Sequence, residues 1–150
     1  MIAIAGAFAS VTAGGVTFDW SVEEGVLTGR ASARAEGWVC VGFNARPQLA
    51  GSVLVLGAAR PDGTSAVVEH IARPPRHPDR GELGTPGLLE ATATEVDGTT
   101  TVVFRLRLDT GDGLAEGLEV GAFAHLTLAW SRSDDFDHHS AERVLVPVVL

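Results

Sequence analysis

The sequence predicts an all-β fold, an antiparallel β-sandwich of immunoglobulin-like type, and three observations carry the prediction. Apolar residues recur with a period of two along most of the chain, turn dipeptides separate the runs, and no stretch holds a helical period for ten residues. With 150 residues, 45% of them hydrophobic and 20% charged, the chain has enough material for one domain with a buried core.

The first fifteen residues (MIAIAGAFASVTAGG) are uncharged and rich in small apolar side chains. The run is too short to span a bilayer and lacks the basic start of a secretory signal, so it reads either as a signal remnant or as an extra first strand. The clearest strand covers residues 27–35: Leu27, Gly29, Ala31, Ala33 and Ala35 share one face, while Thr28, Arg30, Ser32 and Arg34 share the other. Residues 38–43, 52–56 and 66–71 follow as strands rich in β-branched and aromatic side chains. Residues 101–108 alternate again, with Val102, Phe104, Leu106 and Leu108 inward and Arg105 and Arg107 toward water. Residues 121–130 and 143–150 complete a set of seven or eight strands, and Pro147 places the last one at a sheet edge, because proline cannot donate to a ladder. Asp62-Gly63 and Asp97-Gly98 supply tight hairpin turns, and Asp112-Gly113 marks another reversal.

Charge and motif content exclude several functions. The formal net charge is -8, from 19 acidic and 11 basic residues, the latter all arginine, so a nucleic-acid partner lacks its counter-charge. The single cysteine, Cys40, rules out an internal disulfide framework and any multi-cysteine metal site, and it reads as a small buried hydrophobe rather than a nucleophile. No phosphate loop, GxSxG elbow or HExxH pair is present, which argues for a chain that is not an enzyme by itself. No segment reaches membrane-spanning length.

Two segments carry candidate site residues. Residues 72–86 (ARPPRHPDRGELGTP) form a connection longer than usual, either a solvated loop or one in which His77 or Asp79 closes over a ligand. Residues 134–139 (DDFDHH) place His138 and His139 directly before the final strand; imidazole is a good iron, copper or zinc ligand, and the pair is either a surface feature or a metal or haem ligand. Asp134, Asp135 and Asp137 fit no EF-hand spacing and read as a solvated acidic loop. His70 and His125 read as core or rim histidines, and Trp38 and Trp130 as core aromatics that can also wall a ligand.

In order along the chain, Phe18-Asp19-Trp20-Ser21-Val22, Glu36-Gly37-Trp38-Val39-Cys40-Val41-Gly42-Phe43, Gly51-Ser52-Val53-Leu54-Val55-Leu56-Gly57, Glu95-Val96-Asp97-Gly98, Val103-Phe104-Arg105-Leu106-Arg107-Leu108-Asp109, Leu128-Ala129-Trp130 and His138-His139-Ser140 resemble the DOMON domains. This family includes the N-terminal domain of dopamine β-monooxygenase and is related to the cytochrome domain of cellobiose dehydrogenase. The resemblance covers residues 16–150 and implies a periplasmic or extracellular ligand-binding sandwich, with haem b and electron transfer as the best-known function and sugars as ligands in other branches. It implies one axial methionine before a Gly-Ser pair and a histidine or lysine near the last strand. Here the methionine position reads Leu49, Met1 is the only methionine, and lysine is absent.

Three expectations follow from that departure. Haem is held by His139, or by His138, as a single axial ligand or with His77 or His125 as the second. Alternatively the domain is haem-free and takes a carbohydrate at one end of the sandwich, walled by Trp38, Trp130 and the 72–86 loop. A third reading is an interaction module attached to a redox partner such as a membrane b-type cytochrome.

Overall fold

The computed structural model describes residue 2, residues 8–114 and residues 116–150. Ten strands and one helical turn are present among them: β1 (Ala9–Ala13), β2 (Val16–Glu23), β3 (Val26–Ala33), β4 (Val39–Asn44), β5 (Val53–Ala59), β6 (Ser65–Ile71), α1 (Arg80–Leu83), β7 (Leu88–Val96), β8 (Thr99–Arg107), β9 (Phe123–Trp130) and β10 (Glu142–Val149). They build two five-stranded antiparallel sheets, ordered β1-β2-β3-β8-β7 and β10-β9-β4-β5-β6. The expected β-sandwich is the observed fold. β1 occupies part of the first fifteen residues as a strand, while the apolar stretch 3–7, where a signal remnant was expected, lies outside the described residues.

The alternation expected for β3 and β8 holds residue by residue. Leu27, Ala31 and Ala33 of β3 and Val102, Phe104 and Leu106 of β8 are buried, whereas Arg30, Arg34 and Arg107 are exposed. The inward rings of Phe18, Phe43 and Phe104 pack at the centre, with Phe18 stacked on Phe104 at 6.1 Å between centroids. Gly29 makes room for that stack, since a Cβ there would lie 2.8 Å from the Phe18 ring and 3.0 Å from Phe104. Pro147 sits on β10, an edge strand, as its missing N–H requires.

Two strands exceed the expected set. β2 alternates cleanly, burying Val16, Phe18 and Trp20. β7 is harder to read: its inward residues are Leu88 at one end and the small Ala91 and Ala93, and its register shifts between Leu88 and Glu90. Small alanines suffice there because Gly57 of β5 approaches closely; a Cβ on Gly57 would lie 3.3 Å from that of Ala93.

The two sheets differ in their outer faces. The outer face of the first is polar and wet, carrying Thr28, Arg30, Thr101 and Arg105. In the second sheet every residue of β4 and β5 is buried, so these strands are covered on both sides. Their inner residues join the central core, and Trp38, Cys40, Leu54, Leu56, Ala58 and Ala129 form a second apolar cluster on the outer face. Something must cover that cluster, and two loops do.

Candidate functional site

The covering loops are residues 72–87, which lead from β6 through α1 to β7, and residues 131–141, which join β9 to β10. Between them and the outer face of the second sheet lies a cavity of about 500 Å³, within the range of small-molecule sites. Trp38, Cys40, Leu54 and Leu56 form its apolar floor, and Leu49, His70, His77, Phe136, His138 and His139 stand around it with Arg76 and Arg143.

Each wall is held by backbone pairing and buried polar contacts. The 131–141 loop continues the ladders on both sides of β9: toward β4, Ser131 N donates to Trp38 O at 2.9 Å and Trp38 N to Ser133 O at 3.1 Å, and toward β10, Ala141 N donates to Trp130 O at 2.8 Å. Only glycine fits at position 37, because a Cβ would run into the carbonyl oxygens of Ser131 and Ser133. The turn bearing Leu49 is pinned by Asn44, whose amide donates to the carbonyls of Gln48 and Ala50 at 3.0 Å each. The 72–87 loop is fastened by Arg80, whose side chain is 1% exposed; its guanidinium donates to Glu69 at 2.9 Å and to Thr110 at 2.9 Å. The other carboxylate oxygen of Glu69 accepts from Gly87 N at 2.8 Å and Leu88 N at 3.0 Å, so the Glu69 carboxylate ties the middle of the loop and its far end to β6.

The histidines are in different states of use. His70 Nε2 lies 2.9 Å from Asp79, which occupies that nitrogen. His77 Nδ1 accepts from Arg73 N at 3.2 Å, so the neutral ring carries its proton on Nε2. Burial, then the neighbouring His70, holds the His77 imidazole below its ordinary pKa and keeps it neutral. His138 Nδ1 lies 3.0 Å from the carbonyl oxygen of His139; a carbonyl only accepts, so Nδ1 carries the proton and the Nε2 lone pair is free. Burial pushes the Cys40 thiol up to about 12, which leaves it a protonated floor residue, in keeping with its reading as a hydrophobe.

Of the residues expected at the site, Trp38, Leu49, His77, His138 and His139 come together around one cavity, while Asp79, which pairs with His70, and Trp130 and His125 do not line it. Trp130 lies on the inward face of β9 with Leu126 and Leu128, packs against the central core and donates its indole N–H to Gly14 O at 3.1 Å. His125 shares the outward face but sits two residues beyond Thr127, away from the cavity. The site also lies on the outer face of a sheet rather than at an end of the sandwich. His70, read as a rim histidine, is part of the wall. Its position on β6, with Val68 on the same outward face, is the signal that could have placed it.

No family model matches the sequence, and no curated protein does. Solved structures do match in shape. The cytochrome b domain of pyranose dehydrogenase from Coprinopsis cinerea superposes with a TM-score of 0.70 over 95% of this chain and 81% of that one, at 12% identity. The chain has the fold of a cytochrome domain. A second such neighbour, the cytochrome domain of cellobiose dehydrogenase from Myriococcum thermophilum, gives a TM-score of 0.62 over the same shares, at 14% identity. The DOMON-type resemblance carried by the scattered sequence pieces is thus matched by the path of the backbone.

The donor set fits a haem held through one imidazole. The floor is apolar, the walls bring several imidazoles to one space, and His138 has the arrangement of a metal-ligating histidine, with its second ring nitrogen fixed by a backbone carbonyl. Among the described residues no group of three or more metal-ligating side chains is assembled.

Proposed function

We propose that this chain is a haem b-binding module of DOMON type with an electron-transfer role, acting outside the cytoplasm and not an enzyme by itself. The observation that supports it best is the His138 imidazole, beside a cavity with an apolar floor, with Nε2 free and Nδ1–H bonded to a carbonyl. On this reading the axial ligand is His138 rather than His139, which lacks such a bond. Haem supplies one-electron exchange when bound, and its potential follows from the axial ligand and the burial of the site. The protein's part is to hold the group: Leu54, Leu56 and Cys40 exclude water from one side, Phe136 and the 72–87 loop cover it, and the His138 carbonyl contact fixes the ring. No helix among the described residues is long and apolar enough to cross a membrane, which is compatible with export and with a separate redox partner such as a membrane b-type cytochrome.

A haem titration followed by the visible spectrum tests this. A stoichiometric Soret band that His138→Ala removes and His139→Ala retains is the expected result. Failure to take up haem would overturn the reading and turn attention to a carbohydrate in the same cavity, to be sought by tryptophan fluorescence.

A further inference from the structure

Charge is distributed around the cavity against the trend of the molecule. The chain is acidic, with a formal net charge of -8, yet the cavity lining holds two arginines, Arg76 and Arg143, and Asp137 as its sole carboxylate among the described residues. Asp134 and Asp135 of the same loop face a neighbouring hollow with Asp79 and Glu82 instead. Arg143 pairs in register with Ala129, a member of the outer apolar cluster, so it stands on the outward face of β10 directly beside the cavity floor. Arg76 is on the covering loop, in a turn where its backbone exchanges bonds with Arg73 at 2.9 and 3.1 Å. Neither guanidinium has an ion-pair partner among the described residues, whereas Arg80 is taken up by Glu69 and Arg105 lies near Glu90. The charge of Arg143 is felt on the opposite wall: after burial and His70, it adds to what holds the His77 imidazole below its ordinary pKa. Unpaired guanidinium groups beside an apolar floor suit an amphipathic acid, whose body is buried while its carboxylates meet the arginines. A neutral sugar would use neither charge.

Resting on the haem reading, we propose that Arg76 and Arg143 anchor the two propionate carboxylates of the haem, and that the cavity thereby selects amphipathic dicarboxylates over neutral ligands. This anchor acts without the iron. It is therefore separable from coordination by His138.

The test uses the full chain and three probes: haem, metal-free protoporphyrin IX, and protoporphyrin IX dimethyl ester. Protoporphyrin IX keeps both carboxylates and gives His138 no metal, while the ester keeps the ring and loses both charges. Protoporphyrin IX should quench the tryptophan fluorescence saturably, and the ester should bind at least about tenfold more weakly. Arg76→Gln and Arg143→Gln should each weaken protoporphyrin IX about fivefold and leave the ester unchanged, and added salt should weaken the acid alone. Both arginines are exposed, so the variants should fold, and Arg30→Gln on the wet sheet controls for the change in net charge. Equal binding of acid and ester, or either arginine variant matching Arg30→Gln, would overturn the two-point anchor, and a Soret band dependent on His138 would then leave the haem reading intact. The expected arginine dependence with a haem Soret band indifferent to His138→Ala would support the anchor and overturn the axial ligand. Uptake of neither haem nor protoporphyrin IX would overturn both.

Discussion

Arg80 carries its charge almost wholly out of water, and Glu69 beside it is buried to nearly the same degree. Further contacts support the pair: Glu69 takes two backbone N–H groups and Arg80 reaches Thr110 and, at 3.6 Å, Asp112. Arg80→Met would strand the Glu69 carboxylate, and we expect a loss of about 3–5 kcal/mol in urea unfolding, larger than the loss from replacing both partners with apolar residues. Asp112 gives a pH signature of its own. Burial works to raise its pKa, but bonds from Thr110 and the amides of Leu114 and Thr85, with Arg80 nearby, outweigh that and hold it at about 2. An unfolded aspartate titrates near ~3.9, so this stabilisation is present above that pH and is lost as pH falls through the folded value. Unfolding measured from pH 5 to pH 2 should therefore show the gap between wild type and Asp112→Asn shrinking as acid is added.

At the scale of elements, what could be read from sequence depended on whether a strand has a wet face. β3 and β8 do, and their arginines mark it, so their inward residues were legible one by one. β4 and β5 have no wet face. Their unbroken apolar runs identify them as strands, and that continuity is itself the mark of burial on both sides, from which a second cluster follows. β7 escaped because, beyond Leu88, its inward residues are alanines, which carry little β signal, and a register irregularity between Leu88 and Glu90 breaks the alternation. The site was half legible. His138, His139, Leu49, Trp38 and His77 were picked out, but period two along β9 already puts Trp130 with inward Leu126 and Leu128. The Glu69–Arg80–Asp112 network was not readable at all, since nothing in local sequence joins residues so far apart. Gly37 tests how the β4–β9 ladder carries the histidine loop. Gly37→Ala has no room between Ser131 and Ser133 and should lower stability and, on the proposed haem reading, haem affinity with it, whereas Gly81→Ala, whose added carbon would meet only Pro86 at 3.6 Å, should disturb both far less.

Across the whole molecule, one core joins both sheets, and the aromatic stack at its centre draws on β2, β4 and β8. Phe104→Ala removes the ring shared by two of those contacts and should destabilise by about 3–5 kcal/mol. Trp20 reports on that core and Trp38 on the outer cluster, so in denaturant their fluorescence and the far-UV signal should shift at one midpoint; separate midpoints would show that the outer layer opens by itself. Strands enclosed on both sides also bear on how freely this sequence can vary. In a library of random substitutions, β4 and β5 would tolerate few replacements at any position, while every second position of β3 and β8 would accept almost any polar residue. Sequence drift would then collect on the wet sheet, so that the half of the molecule furthest from the ligand changes fastest and the outline of the cavity outlasts it.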